Sequence, residues 1–258
     1  MDYSIIGTGN MATFLSLRLK EAGHNCIGIY GRNVKKTAAL AKEVYANTYG
    51  SIMDVKDESD VCIMAVSDHA IEELSKPLII KKGTLIHTAG SISIDVTSNA
   101  AVNRAVMWPI YSILKNDLPK TRNIPCAWEA SSDKAQKDVL AIIAAFSDIP
   151  QEVKGDKRLW LHFTAVLGNN FINHLATICA QICEQQQLPF TLLEPILLQT
   201  IDRIAHYAPS DMQTGPAKRN DLVTINKHLG LLDNHPEWGN IYKAMTESIA
   251  IMYHSKEL

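Results

Sequence analysis

The sequence predicts a doubly wound α/β fold with a mostly parallel sheet, followed by an all-α C-terminal domain. Three observations carry this prediction. Short apolar runs alternate with helical patterns through the first half of the chain. A glycine-rich turn stands between the first strand and the first helix. After about residue 155 the strand patterns stop and only helical spacing remains.

The elements follow in order. Residues 4–6, 26–30, 61–66, 84–87 and 105–108 read as strands, because they are short, apolar and bounded by Gly, Asp or Pro. Residues 11–22, 34–44 and 70–74 read as the helices between them. Residues 132–146 then read as a helix and 151–153 as a last strand. Asp156 is placed to cap a long helix reaching about Gln187, with Leu159, Phe163, Val166, Leu167, Phe171, Leu175, Ile178 and Ile182 at helical spacing. A second helix covers about residues 192–206. Pro216 suits the first turn of a third, running to about Leu232. A last helix covers residues 239–254. The expected division is a nucleotide-binding domain over residues 1–154 and a helical substrate and dimerisation domain over 155–258.

A chain of 258 residues with 47% apolar and 20% charged residues has the composition of a globular protein with its own core. The net charge of −2 gives no basic excess to hold a nucleic acid or an anionic membrane. Neither is expected as a partner. The five cysteines are odd in number and contain no C-x-x-C pair, so neither a disulfide framework nor a zinc ribbon is expected. Cys179 and Cys183 have helical i, i+4 spacing and are expected in reduced packing, and no metal site is expected. The N-terminus lacks a cationic region followed by an apolar stretch, so a cytoplasmic location is expected.

The motif Gly7-Thr8-Gly9-Asn10-Met11-Ala12 is G-x-G-x-x-A, directly after a strand and opening a helix. Gly7 permits the tight turn, Gly9 lets a pyrophosphate approach the backbone, and Ala12 permits close packing of helix on strand. The context fits a Rossmann-type dinucleotide site. An acid at the end of the second strand would accept from ribose hydroxyls, and none stands in Tyr30-Gly31-Arg32-Asn33. Arg32 suits a 2′-phosphate instead, so NADP is expected over NAD. A solvated arginine in a turn is the alternative.

Ligands in open α/β sheets bind outside the carboxyl ends of the strands. Ser67 and Asp68 at such an end either face the cofactor or cap the helix that follows. Gly90 and Ser91 either approach the nicotinamide and the substrate or form a plain turn. Trp108 either walls the substrate pocket or packs in the core.

The N-terminal half resembles the superfamily of pyrroline-5-carboxylate reductases, ketopantoate reductases and β-hydroxyacid dehydrogenases. Gly7-x-Gly9-Asn10-Met11-Ala12, Gly31-Arg32-Asn33 and Ala65-Val66-Ser67-Asp68 carry that likeness. The C-terminal half is similar to a subgroup of NADP oxidoreductases with a helical domain of unknown function. Leu161-His162-Phe163-Thr164-Ala165 with Asn169, and Thr214-Gly215-Pro216-Ala217-Lys218-Arg219-Asn220-Asp221, carry it. The resemblance implies a site of Gly7, Thr8, Gly9, Asn10, Met11, Gly31, Arg32, Asn33, Val66, Ser67 and Asp68 around NADP. It also implies a homodimer closed through the helical domain. One departure matters: the β-hydroxyacid dehydrogenases carry a catalytic lysine four residues before an asparagine, and here Ala165 stands four before Asn169.

Hydride transfer to a carbonyl or imine needs a proton donor beside the accepting atom. His162 is the candidate by residue type. Asn169 would orient the substrate, and Asn173 continues the same stripe at helical spacing. A histidine hydrogen-bonded within a helix interface is the alternative. Lys218 and Arg219, at an expected helix start, suit a bound anion or an ion pair with Asp221. Arg219 is therefore a candidate substrate residue, and a solvated charged turn is its alternative. The expected activity is NADP-dependent oxidation or reduction of a C=O or C=N bond in a small metabolite. A dinucleotide-binding sensor without turnover is the alternative.

Overall fold

The computed structural model of the chain describes residues 1–254. Eight strands form one sheet: β1 (Asp2–Ile6), β2 (Asn25–Tyr30), β3 (Asn47–Thr48), β4 (Val61–Met64), β5 (Ile80–His87), β6 (Ala101–Pro109), β7 (Pro125–Ala130) and β8 (Ile149–Glu152). Their order is β3-β2-β1-β4-β5-β6-β7-β8. All pairs are parallel except β6 with β7. The chain leaves β1 towards β2 and β3, then returns to place β4 on the other side of β1. That reversal creates a crevice at the carboxyl ends of β1 and β4.

Neighbouring residues of the central strands feed opposite faces. Ile5 and Ile63 lie in one core with Phe14, Leu15 and Leu19 of α1 (Asn10–Glu21) and Val139 and Ile142 of α4 (Asp133–Ile143). Ile6 and Met64 lie in the other, with Ile71 of α3 (Asp68–Ser75). Burial on both faces is why these strands are apolar at nearly every position. Between them, α2 (Val34–Val44) follows β2 and is capped by Asn33, whose side chain accepts from the Lys36 amide at 3.0 Å.

The sheet contains two strands absent from the sequence reading. β3 has only two residues, and β7 (PCAWEA) begins with a proline and carries small residues, so neither shows a strand period. The last strand begins at Ile149, two residues before the expected 151.

The change from α/β to helix comes at Gly155, where α5 (Gly155–Ala165) begins. Asp156 lies inside its first turn and does not cap it; Lys154 holds the cap position. The expected continuous helix is interrupted: a π-helical segment (Val166–Phe171) separates α5 from α6 (Ile172–Gln185). A π turn adds residues per turn, so the 3.6-residue period used to align His162, Asn169 and Asn173 does not hold across it. By compactness the chain divides into residues 1–169 and 170–258, with α5 in the first unit.

The second unit is helical: α6, α7 (Glu194–His206), a single turn α8 (Pro209–Met212), α9 (Leu222–Leu231) and α10 (Pro236–His254). Pro216 does not open a helix. Residues 216–220 form turns, Asn220 takes a φ of 53°, and Asp221 caps α9 by accepting from the Thr224 amide at 3.0 Å. Lys218 and Arg219 therefore precede the helix rather than occupy its first turns, and the dipole argument for an anion there falls. Lys218 instead lies over the Tyr253 ring, 5.0 Å from its centroid.

Candidate functional site: a strand-end crevice with two different ends

The first end is built from backbone. Gly7 has a φ of 126°, and its amide donates to the Tyr30 carbonyl at 2.8 Å. A Cβ there would lie 2.1 Å from the Ala65 carbonyl oxygen, so only glycine allows β1 and the loop after β4 to approach. A Cβ on Gly9, by contrast, would meet no protein atom within 4 Å. Gly9 is the cap residue of α1, has no side-chain cap, and the first turn of α1 holds no acid. Free amides and the positive end of the helix dipole therefore face open space. Ala12 is fully buried against the sheet.

A cavity of about 460 Å³ lies along this turn. Its lining includes Gly7, Thr8, Gly9, Asn10, Met11, Gly31, Arg32, Asn33, Val66 and Ser67. All but one of the residues expected around the cofactor are thus brought together. Asp68 is absent from the lining, and its carboxylate accepts a short hydrogen bond from the Ser91 hydroxyl. That bond ties the start of α3 to the loop after β5. Ser67 sits at the cap position of α3, but its hydroxyl pairs with His69 Nε2 at 3.3 Å instead of capping.

The lining also includes Lys36, one turn into α2, which the sequence reading passed over. Arg32 and Lys36 are both exposed, and among the described residues neither is paired with a carboxylate. The signal lies in Asn33-Val34-Lys35-Lys36, which puts two further cations just inside a helix capped by Asn33. The glycine turn, the bare helix start and these cations fit an NADP-type dinucleotide. Pyrophosphate suits the amides at Gly9, and a 2′-phosphate suits Arg32 and Lys36.

A separate cluster at the ends of β5 and β6 is built from side chains. The His162 ring on α5 lies 5.3 Å from the Trp108 ring at the end of β6, tilted by 53°. Both are half-buried. They close over Gly90, where a Cβ would lie 2.6 Å from Trp108 Cδ2 and 2.8 Å from His162 Cδ2. Three strand-distant segments thus meet at Gly90. Asn169 is exposed in the π segment. Asn173, on α6, and Arg219, in the turn before α9, belong to the second unit, and both are exposed.

Beneath Gly90 lies a charged group with no sequence signal. Arg158, one turn before His162, is 1% exposed. Its Nη1 donates to the carbonyls of Gly90 at 2.8 Å and Ile92 at 2.7 Å, and its Nη2 to Glu129 Oε2 on β7 at 3.0 Å. His87, at the end of β5, is fully buried. Burial, aided by the Arg158 charge, pushes its pKa down to about 4. It is therefore a neutral imidazole near pH 7, accepting from the Ala89 amide through Nδ1 at 3.4 Å.

Residues 2–98 match the family described as NADP oxidoreductase, coenzyme F420-dependent. Residues 124–249 match a domain of unknown function, DUF2520. A crystal structure named a "putative NADP oxidoreductase" from Bacteroides fragilis is 28% identical, covers 96% of this chain and 97% of its own, and superposes with a TM-score of 0.89. Protein TM1727 from Thermotoga maritima is 20% identical over 99% of this chain and 100% of its own, with a TM-score of 0.72. A reductive aminase from Aspergillus terreus, solved with NADPH and ethyl-5-oxohexanoate, is 16% identical over 96% and 92% of the two chains, with a TM-score of 0.74. No curated protein matches the chain. The match over residues 2–98, the glycine fingerprint and the likeness to the Bacteroides fragilis structure support an NAD(P)-dependent oxidoreductase. More particularly, the match to the NADP oxidoreductase domain is followed along the chain by the match to DUF2520.

Proposed function

We propose that the protein uses NADP in preference to NAD and transfers hydride to or from a C=O or C=N bond of a small metabolite. The observation that carries the cofactor preference is the pair of unpaired cations, Arg32 and Lys36, lining the crevice where an NAD site would hold an acid. When bound, the nicotinamide supplies the hydride chemistry. The chain supplies binding and orientation: amides at the start of α1 hold the pyrophosphate, and the β5 and β6 ends wall the reacting region. His162 is the residue that would hold or deliver the proton, and its place against Gly90 and Trp108 at a strand end supports that role. Asn169, at the end of the first unit, is proposed to orient the substrate.

Fluorescence titration with NADPH and NADH tests the preference. The wild type is expected to bind NADPH more tightly, and Arg32→Glu to weaken NADPH binding by about 10- to 100-fold, the scale of a charge-assisted hydrogen bond replaced by repulsion. Unchanged NADPH affinity in Arg32→Glu would remove the argument. His162→Ala is expected to slow turnover by about 10²- to 10⁴-fold with NADPH affinity kept. Wild-type turnover in that variant would sink the proton-donor role.

The proposed partner is a second copy of the chain, and the proposed location is the cytoplasm. Helix α7 buries none of its residues, and Ile196, Leu198 and Ile201 are 59%, 71% and 52% exposed. Apolar exposure on this scale is characteristic of a surface that is covered in an assembly. Sedimentation at micromolar concentration showing only monomer would count against it. Among the described residues no helix is long and apolar enough to cross a membrane.

A further inference from the structure

Arg158 and Glu129 make a buried ion pair whose side chains are 2% and 13% exposed. Such pairs seldom raise stability, because desolvation offsets the attraction and well-packed apolar residues serve as well. Folding alone does not explain a guanidinium here. Its contacts point elsewhere. Three of its acceptors are carbonyls of one short loop: Gly90 at 2.8 Å, Ile92 at 2.7 Å and Ala89 at a longer 3.4 Å. The fourth, Glu129 Oε2, also accepts from the Gly155 amide at 3.2 Å, which anchors the start of α5.

One rigid fork therefore joins the loop after β5, the strand β7 and the helix that carries His162. Arg158 and His162 are four residues apart on α5 and so lie on one side of it. The same Gly90 whose carbonyl is held by Arg158 is the residue on which Trp108 and His162 close. The peptide bonds are planar and trans. Holding the Gly90 carbonyl thus also sets the direction of the Ser91 amide.

We infer that Arg158, braced by Glu129, is a positioning residue that sets the loop of residues 89–92 against His162 at the reacting end of the site. Arg158 acts through the loop and the helix and touches neither cofactor nor substrate. This rests on the proposed NADP(H) reading for its consequence, but the loop geometry can be read without it.

The test compares wild type, Arg158→Lys and Glu129→Gln, each checked for cooperative unfolding. Two quantities are measured: amide hydrogen exchange across the chain, and the affinity and emission of bound NADPH. Lysine keeps the charge and loses the fork; glutamine keeps the shape and loses the charge, so one variant remains informative should the other fail to fold. Exchange at residues 89–92 is expected to rise about tenfold in Arg158→Lys, with residues 7–12 unaffected. NADPH affinity is expected to change by less than about threefold, while the emission change that reports nicotinamide seclusion falls by more than half. Glu129→Gln should move both in the same direction by less. Unchanged exchange in the loop, or faster exchange over the whole sheet, would overturn the inference. If wild type bound no NADPH, the cofactor reading would fail, and the exchange comparison would still decide whether Arg158 sets the loop.

Discussion

Two regions at the carboxyl edge of the sheet are built from opposite materials. At the β1–β2 end the walls are backbone and open space: a glycine in a left-handed conformation, a helix start without a cap, and two exposed cations. At the β5–β6 end they are the side chains of Trp108 on β6 and His162 on α5, arranged around Gly90 and fastened from below by a buried arginine. A diphosphate is recognised by amides and charge, which any such turn can supply. A reacting carbon must be placed against a particular ring, and that demands rigid packing.

The sharpest way to break this contrast is at Gly7. Gly7→Ala forces a Cβ into the Ala65 carbonyl at 2.1 Å and strains a φ of 126°. It is expected to cost more than about 3 kcal/mol, seen as loss of soluble protein or a large fall in melting temperature. Near-wild-type stability would mean that the approach of β1 and β4 is not obligatory.

At the other end, the buried His87 makes stability depend on pH. Its native pKa of about 4 lies below the ordinary 6.5 of the unfolded chain. Between those values the unfolded chain binds a proton that the native state does not. His87 therefore lowers stability as pH falls from 6.5 to 4, by about 3 kcal/mol in total. Denaturant unfolding at several pH values should show that slope, flattened in His87→Gln. An equal slope in the variant would assign it to other groups.

The smallest effect expected on the fold is at Gly9, where a Cβ meets nothing within 4 Å and the backbone is extended. Gly9→Ala should leave the melting temperature nearly unchanged. NADPH affinity should nevertheless fall by about tenfold, or 1.4 kcal/mol, because the methyl occupies the approach of the pyrophosphate. Equal affinity would show that the anion does not sit there.

The difference between the two ends also explains what could be read in advance. The phosphate end was legible because its requirements are local. Gly7, Gly9 and Ala12 lie within six residues, and Asn33 marks a helix start, so spacing alone carries the meaning. Even so, Lys36 was passed over. The β5–β6 end was legible only as a set of candidates: His162, Gly90 and Trp108 could be named, but nothing in their spacing joins them. Arg158 and Glu129 had no signal at all, since a lone Arg on a helix reads as solvated until its burial is known. The helical region failed at its joints. Pro216 resembled a helix start, but Asp221 makes the better cap, and the π segment is invisible to a 3.6-residue period.

The sequence by itself determined the alternation of strand and helix, the position of the dinucleotide turn and the change of architecture at Gly155. These depend on residues close along the chain, whose periodicity and backbone preferences act locally. Tertiary structure alone decided which strands are neighbours, the break in the long helix, and the grip of Arg158 on the loop beneath Gly90. The grip of Arg158 joins groups 29 to 69 residues apart, brought together only when the sheet closes and burial makes each unpaired polar atom costly.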